Sequence, residues 1–246
     1  MSKIIVNLKR KRLVWNKGLF TQMDRNVITI DGPSGSGKST VAKLLSERLG
    51  WSYLDSGAIY RLIAYVSLDN PGYTEDDILV IIENINIKFE FKDNHYRIYL
   101  DEKDVTNVIR EERIGEEASK LAKNNKIRAS LINIQRHYDN NLNLVTDGRD
   151  MGTIIFPNAS LKLFLTASLE ERAARRYLEL QNIGNPIDLG QIETTMRARD
   201  ARDEKRESSP LVAAVDSIHI DTTSFDITEV VEKIYKLWHN KAILAR

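Results

Sequence analysis

Asp31–Thr40 reads DGPSGSGKST. Within it, Gly32 to Ser39 has the spacing G-x-x-x-x-G-K-S, the pattern of a phosphate-binding loop. The residues just before it, Val27-Ile28-Thr29-Ile30, form a short β-branched apolar run that predicts a buried strand. Just after it, Val41, Leu44, Leu45 and Leu49 recur at helical spacing. Strand, glycine-rich turn and helix are the context this motif needs. Glycine tolerates positive φ and has no Cβ, so the backbone can wrap an anion closely. Several N–H groups then point inward, and the helix N-terminus adds its positive end. Lys38 is expected to reach the β- and γ-phosphates, and the Ser39 hydroxyl to ligate Mg²⁺. The candidate nucleotide-binding residues of the loop are therefore Gly32, Pro33, Ser34, Gly35, Ser36, Gly37, Lys38, Ser39 and Thr40.

Composition narrows the classes further. A chain of 246 residues accommodates one α/β domain with insertions, or two small domains. A net charge of +1 favours neither nucleic acid nor a membrane surface. The chain has no cysteine, which excludes disulfides, thiolate metal sites and a cysteine nucleophile, and fits a reducing cytosol. No apolar run approaches the length of a membrane span. Charge is concentrated at the start, where Lys3, Lys9, Arg10, Lys11, Arg12 and Lys17 precede the first acid, Asp24. Leu13-Val14-Trp15 is interrupted by Asn16 and Lys17, too soon for a signal-peptide core. Residues 1–25 are expected to be a poorly ordered basic extension, with Met23 a possible working start, and residues 26–246 the working domain.

Trp51–Leu54 predicts a second strand, followed by a helix carrying Ile59, Ile63 and Val66. Ligands in open parallel sheets lie beyond the carboxyl ends of the strands, so Asp55 and Ser56 fall beside the phosphate loop. Arg61, one and a half turns into that helix, is a candidate phosphate clamp. Leu144-Val145-Thr146 leads into Asp147-Gly148-Arg149-Asp150. A strand ending in Asp near such a loop suggests a Walker-B-like carboxylate that holds Mg²⁺ directly or through water; Asp55 is the alternative acid, and a plain structural turn the alternative reading.

Between these strands the hydrophobic period changes. Pro71-Gly72 is a turn and Thr74–Asp77 opens a helix; then Ile85, Ile87, Phe89 and Phe91 alternate with polar residues, as do Tyr96, Ile98 and Leu100, with Asp93-Asn94 as the turn. A small antiparallel sheet is expected there, then helices over about 111–123 and 126–139. Leu161–Leu165 and Ser217–Ile220 predict further strands. Ser168–Glu171 has the form of a capping box, and Asp226–Glu229 caps a final helix. In the helix after Ser168, Arg172, Arg175 and Arg176 share a face. Beyond the break at Gly184-Asn185-Pro186, Arg199, Asp203 and Arg206 stand at i, i+4 and i+7. A salt-bridged solvated helix pair is one reading of this hairpin. The other is a hinged set of cations for phosphoryl transfer, whose transition state spreads charge over the transferring oxygens. The four histidines show no ligand spacing.

Four stretches together carry a family resemblance: ITIDGPSGSGKST at Ile28–Thr40, LDSGAIYR at Leu54–Arg61, DGRDMGT at Asp147–Thr153 and RARDARDEKR at Arg197–Arg206. From Val27 onward the chain resembles the bacterial cytidylate kinases, which move a phosphoryl group from ATP to CMP or dCMP. The resemblance implies a three-layer α/β fold of the P-loop NTPase type, with a parallel sheet of about five strands. It implies a small antiparallel β-containing nucleotide-binding insert over about 71–143 and a helical lid over about 168–210. It places Ser119, Arg128 and Asp150 at the cytosine ring, Arg149, Arg199 and Arg206 on phosphate, and Asp203 on the sugar. Ser56 and Arg61 join the CMP site, Arg176 the ATP site, and Lys38, Arg149, Arg199 and Arg206 the catalytic cations. ATP and Mg²⁺ are the implied cofactors, with small-molecule substrates, no nucleic acid or membrane partner, and a cytoplasmic monomer. The alternatives are a P-loop kinase for another small acceptor such as UMP or a sugar acid, a GTP-binding switch, for which no N-K-x-D stretch is present, and a nucleic-acid-binding module using the basic arm.

Overall fold

The computed structural model describes residues 26–92, 95–138, 142–182 and 188–244. The chain starts with β1 (Val27–Asp31), α1 (Lys38–Leu49), β2 (Ser52–Asp55) and α2 (Ser56–Asp69). Next come α3 (Glu75–Asn84), β3 (Ile87–Lys92), β4 (His95–Leu100), β5 (Lys103–Asp104), a 3-10 turn (Val108–Arg110), α4 (Glu112–Leu121) and α5 (Asn125–His137). The last part holds β6 (Leu144–Gly148), a π-type turn (Met151–Ile155), β7 (Leu161–Thr166), α6 (Leu169–Asn182), α7 (Leu189–Glu204), β8 (Ile218–Asp221) and α8 (Ile227–Leu244).

β2, β6, β1, β7 and β8 form, in that order, one parallel sheet. Successive strand residues point to opposite faces and both faces are covered, which is why the strands read as continuous apolar runs. Val27, Leu54 and Leu144 pack on one side with Ile59 and Ile63 of α2, Ile114 of α4 and Leu131 of α5. Ile28, Tyr53 and Val145 pack on the other with Val41 and Leu45 of α1 and Val230 and Ile234 of α8. Ile28 and Ile30 are fully buried, each contributing roughly 1.5–3 kcal/mol by leaving water. The register sets Asp55 opposite Asp147, and Asp31 opposite Gly148 and Phe164, so these residues share the carboxyl edge of the sheet.

β3, β4 and β5 form a separate antiparallel sheet. Its Ile98 packs with Ala58 and Leu62 of α2 and with Val105 and Ile109. It is also tied to the phosphate-loop helix. The Tyr96 and Ser46 hydroxyls are hydrogen-bonded at 3.0 Å, and the Tyr96 and Tyr53 rings meet edge to face at 4.9 Å. α6 and α7 pack through Ala173, Leu180, Ile192 and Met196.

Several expectations need correction. β5 has no apolar alternation to announce it; left-handed Asp101 and Glu102 turn the chain back for two polar residues. The strands expected at Trp51–Leu54 and Ser217–Ile220 each lie one residue later. Ile85 ends α3 instead of starting β3. Only half of the capping box at Ser168 forms. Its hydroxyl accepts the Glu171 N–H at 3.2 Å, but its own N–H donates to Thr223 Oγ1, and the Glu171 carboxylate accepts from Arg175. The box at Asp226–Glu229 is complete. α7 ends at Glu204, so Arg206 stands beyond the helix. The basic arm 1–25, the turn at Asp93-Asn94 and the break at Gly184–Pro186 lie outside the described residues. Among the described residues, no helix is long and apolar enough to cross a membrane.

Candidate active site

The loop after β1 begins with a close approach of two backbones. A Cβ on Gly32 would lie 2.0 Å from the Leu165 carbonyl oxygen of β7, so only glycine fits. Gly37, the residue before α1, has φ +81°, a left-handed value that aims the first amides of the helix into the loop. Lys38 folds back and donates to the Pro33 carbonyl at 3.0 Å. Burial, with Arg149 nearby, pushes the Lys38 ammonium down to about 7. A buried cation at the mouth of an amide-lined loop is a receptor for an anion. Ser34, Gly35, Gly37, Lys38, Ser39 and Thr40 line the cleft. Gly32, Pro33 and Ser36 are not among the lining residues. They form the back of the loop, where the Ser36 carbonyl accepts from Thr222 Oγ1 at 3.1 Å.

Two carboxylates stand beside this loop and are used differently. Asp147, at the end of β6, accepts from Ser39 Oγ on one oxygen and from Tyr53 Oη on the other, both at 2.6 Å. Burial and then the charge of Asp55 raise its carboxyl above the usual range. Asp55 accepts the Ala58 N–H at 2.8 Å, capping α2, and pairs with Arg110 at 2.8 Å. Asp147 and Ser39 thus offer adjacent hard oxygen donors, because the Asp147 partners are neutral hydroxyls that leave lone pairs over, whereas Asp55 is neutralised by Arg110. Asp31 takes no part in this group. Its carboxylate accepts the Met151 and Gly152 N–H groups and so fixes the π-type turn after Asp150.

A wall of arginines continues from there along a cleft of about 640 Å³. Arg149 donates to Asp203 at 2.7 Å. Burial works to raise the Asp203 carboxyl, but Arg149 and Arg206 hold it below its ordinary range. Arg199 and Arg176, from the two arms of the α6–α7 hairpin, also line the cleft, as does Arg61 of α2. Burial and the neighbouring Arg199 and Arg110 push the Arg61 guanidinium down to about 9. Arg206, although past the end of its helix, still lines the cleft, with Nε and Nη2 buried and partnerless. So many buried cations with spare donors suit a ligand of high negative charge.

The far end is different in kind. Arg128 and Asp150 form an ion pair through Nη2 and Oδ2, with side chains only 3% and 6% exposed. Arg128 also lies over the Tyr60 ring at 5.8 Å, and its Nε has no partner. Ser119 Oγ, one of the lining residues, is buried and partnerless as well. Ser56 donates to Gln135 Oε1 at 2.7 Å, which leaves its oxygen able to accept. A free hydroxyl, a guanidinium and a carboxylate in one recess can read a flat ring with mixed donors and acceptors.

The fold therefore gathers Lys38, Ser39, Ser56, Arg61, Ser119, Arg128, Arg149, Asp150, Arg176, Arg199, Asp203 and Arg206 around one cleft. It turns Arg172 away from its face-mates. That side chain donates to the Ser34 carbonyl at 3.0 Å and pairs with Asp200 at 2.7 Å, bracing the hairpin against the loop. Sequence reasoning missed Arg110, Lys43 and Tyr60, which line the cleft, and Tyr53, which holds Asp147. Tyr53 was within reach, because strand alternation puts it on the same face as Asp55. Arg110 sits in a short 3-10 turn that carries no pattern.

Known proteins resemble this chain over most of its length. A family model described as cytidylate kinase matches residues 28–240. The cytidylate kinase of Stutzerimonas stutzeri is 46% identical over 213 residues, covering 85% of this chain and 93% of its own. That of Marinomonas sp. has the same identity and coverage. That of Colwellia psychrerythraea is 42% identical over 219 residues, covering 87% and 96%. By the family match over residues 28–240 and these identities across most of its length, this chain belongs to the cytidylate kinase family.

Proposed function

We propose that the chain transfers the γ-phosphoryl group of ATP to CMP or dCMP, giving ADP and CDP or dCDP. One observation carries the reading. A single cleft is lined by the amide-rich anion loop, by the polar set Ser119, Arg128 and Asp150, and by the arginines Arg61, Arg149, Arg199 and Arg206. Two nucleotides meeting phosphate to phosphate need that arrangement. In this reading Gly32–Thr40 and Arg176 hold ATP. Ser56, Arg61, Ser119, Arg128, Arg149, Asp150, Arg199, Asp203 and Arg206 hold the monophosphate. The α6–α7 hairpin, within 168–210, acts as the lid, and residues 71–143 as the monophosphate-side insert.

A phosphate oxygen of CMP attacks the γ-phosphorus, and the bond to the β–γ bridging oxygen breaks. The acceptor is already ionised, so positioning and charge do the catalysis and no covalent intermediate on the protein is needed. Lys38, Arg149, Arg199 and Arg206 surround the transferring group with cations, and Asp203 orients Arg149. Closure of the hairpin completes this set and excludes water, the competing acceptor. Ser39 and Asp147 would hold Mg²⁺, which would supply positive charge against the phosphate oxygens. Among the described residues no three His, Cys, Asp or Glu side chains cluster as a metal site. The remaining ligands would then be phosphate and water, the usual habit of this ion. The proposal extends to a monomer acting on small molecules in the cytoplasm.

The test is ADP formation from ATP with CMP, dCMP, UMP, AMP and GMP in turn. CMP and dCMP are expected to turn over at least about a hundredfold better than the others in kcat/KM. ADP release indifferent to the acceptor would overturn the reading.

A further inference from the structure

α4 carries an acid and a glycine one turn apart, Glu112 and Gly115, and both face the hairpin. Glu112 receives two arginines, one from each arm. Arg176 Nη2 of α6 donates to Oε2 at 2.8 Å, and Arg199 Nη2 of α7 donates to Oε1 at 3.0 Å. The carboxylate is not in the main cleft. It borders a side cavity of about 60 Å³ with Ile192 and Met196, and Ser34 and the two arginines line both that cavity and the cleft. Glu112 therefore holds one end of each guanidinium; Arg199 Nε is left without a partner, while Arg176 Nη1 pairs with Glu179 of the cleft wall at 2.8 Å.

Gly115 supplies the second observation. Glycine is a poor residue for a helix interior. Here a Cβ would lie 2.5 Å from Arg61 Nη2 and 2.9 Å from Arg199 Nη2. Arg61 is itself fixed from the other side, donating to the Ile109 carbonyl at 2.7 Å. The missing side chain is the notch in which a core arginine and a hairpin arginine come together.

We propose that Glu112 and Gly115 form the seat of the lid, with Glu112 a positioning residue that sets Arg176 and Arg199 in register for phosphate. The same helix carries Ser119 at the ring end of the cleft, so the seat links hairpin position to the monophosphate recess. The inference rests on the proposed kinase reading, but its geometry does not.

Two variants and two readouts test it. Glu112→Gln is expected to lower kcat about tenfold while changing the KM for ATP less than about threefold, because the loop amides and Lys38 that hold ATP stay in place while the hairpin arginines lose their register. Gly115→Ala is expected to melt within a few degrees of the parent, since the helix gain from alanine offsets displacing two guanidinium ends from their hydrogen bonds, yet to lose a similar factor in kcat. A merely structural role predicts the reverse pairing, lower stability with turnover intact. The chain has no cysteine, so Lys120→Cys and Arg197→Cys add one spin-label pair across α4 and α7. In the nucleotide-free protein the label distance should be narrowly distributed, and Glu112→Gln should broaden it. Failure of the parent protein to use CMP would overturn the kinase reading, and the label distances would still decide the seat. Unchanged distances, or parental kcat in both variants, would overturn the seat.

Discussion

The Ser39 hydroxyl donates to Asp147 Oδ2 at 2.6 Å, across 108 residues of chain. It joins the first turn of α1 to the end of β6 and places two hard oxygen donors side by side. Tyr53 holds the other carboxylate oxygen, so the group cannot rotate away.

Asp147→Asn should therefore lower kcat at least about a hundredfold and shift the Mg²⁺ dependence to higher concentration, since the carboxylate proposed to hold the ion is replaced by a neutral amide. Titrating Mg²⁺ in turnover assays, and Mn²⁺ by electron paramagnetic resonance with ADP present, checks this. A variant with parental metal affinity would show that Asp147 does not hold the ion. Removal of Mg²⁺ by chelation should abolish turnover in the parent.

Lys38 gives a pH signature. Its ammonium has a lowered pKa of about 7 in the free protein, and a bound triphosphate favours the charged form, raising that value. Above pH 7 the free site lacks the proton that the complex holds, so binding takes a proton up. Affinity should then fall by up to about tenfold per pH unit between the free and bound values. Calorimetry of ATP binding at pH 8 in buffers of different ionisation enthalpy measures the uptake. Lys38→Ala should abolish it, lower kcat at least about a hundredfold and leave the fold intact. A folded variant with near-normal turnover would remove Lys38 from the catalytic set.

Arg199→Ala should reduce kcat more than it weakens ATP binding, because its contact with phosphate depends on the hairpin's position. Steady-state kinetics alongside ADP binding separates the two effects. A raised KM for ATP with unchanged kcat would make Arg199 a static binding residue.

In the proposed reading, base choice rests on Asp150. Cytosine carries an amino donor where uracil has a carbonyl, and a carboxylate prefers the donor. Uracil also carries N3–H where cytosine offers an acceptor to Arg128; each such mismatch of buried polar groups costs about 1–3 kcal/mol, so the two suffice for at least about a hundredfold preference for CMP. Asp150→Ala should narrow the CMP/UMP ratio of kcat/KM. It should also lower the melting temperature, because it leaves the buried Arg128 without its partner, a loss of roughly 3–5 kcal/mol for such pairs. An unchanged ratio would mean that Asp150 does not read the base.

What the sequence revealed was mostly local. The strand, loop and helix around Gly32–Ser39 are contiguous, so spacing alone announces them. Asp55 and Asp147 were legible as strand ends beside that loop, but not their division of labour. Asp55 is taken up by Arg110, whose place depends on how a 3-10 turn folds back over α2. Arg172, Arg175 and Arg176 were grouped by helical spacing, yet Asp200 and the Ser34 carbonyl draw Arg172 elsewhere. Ser119 reads as an ordinary helix-surface hydroxyl until packing buries it without a partner. Periodicity reports which face of an element is turned inward. It carries no record of which distant residue waits there.

The central place of β1 has a further consequence for how the molecule opens. Its amides and carbonyls are bonded to β6 on one edge and β7 on the other, and every residue in it is buried. Hydrogen exchange there is expected to follow the global unfolding equilibrium. β8 pairs on one edge alone and has three of its four residues exposed, so it can exchange through a smaller local opening. The strand that carries the phosphate loop thus belongs to the last cooperative unit to come apart. Fraying at the β8 edge would leave that strand's hydrogen bonds standing.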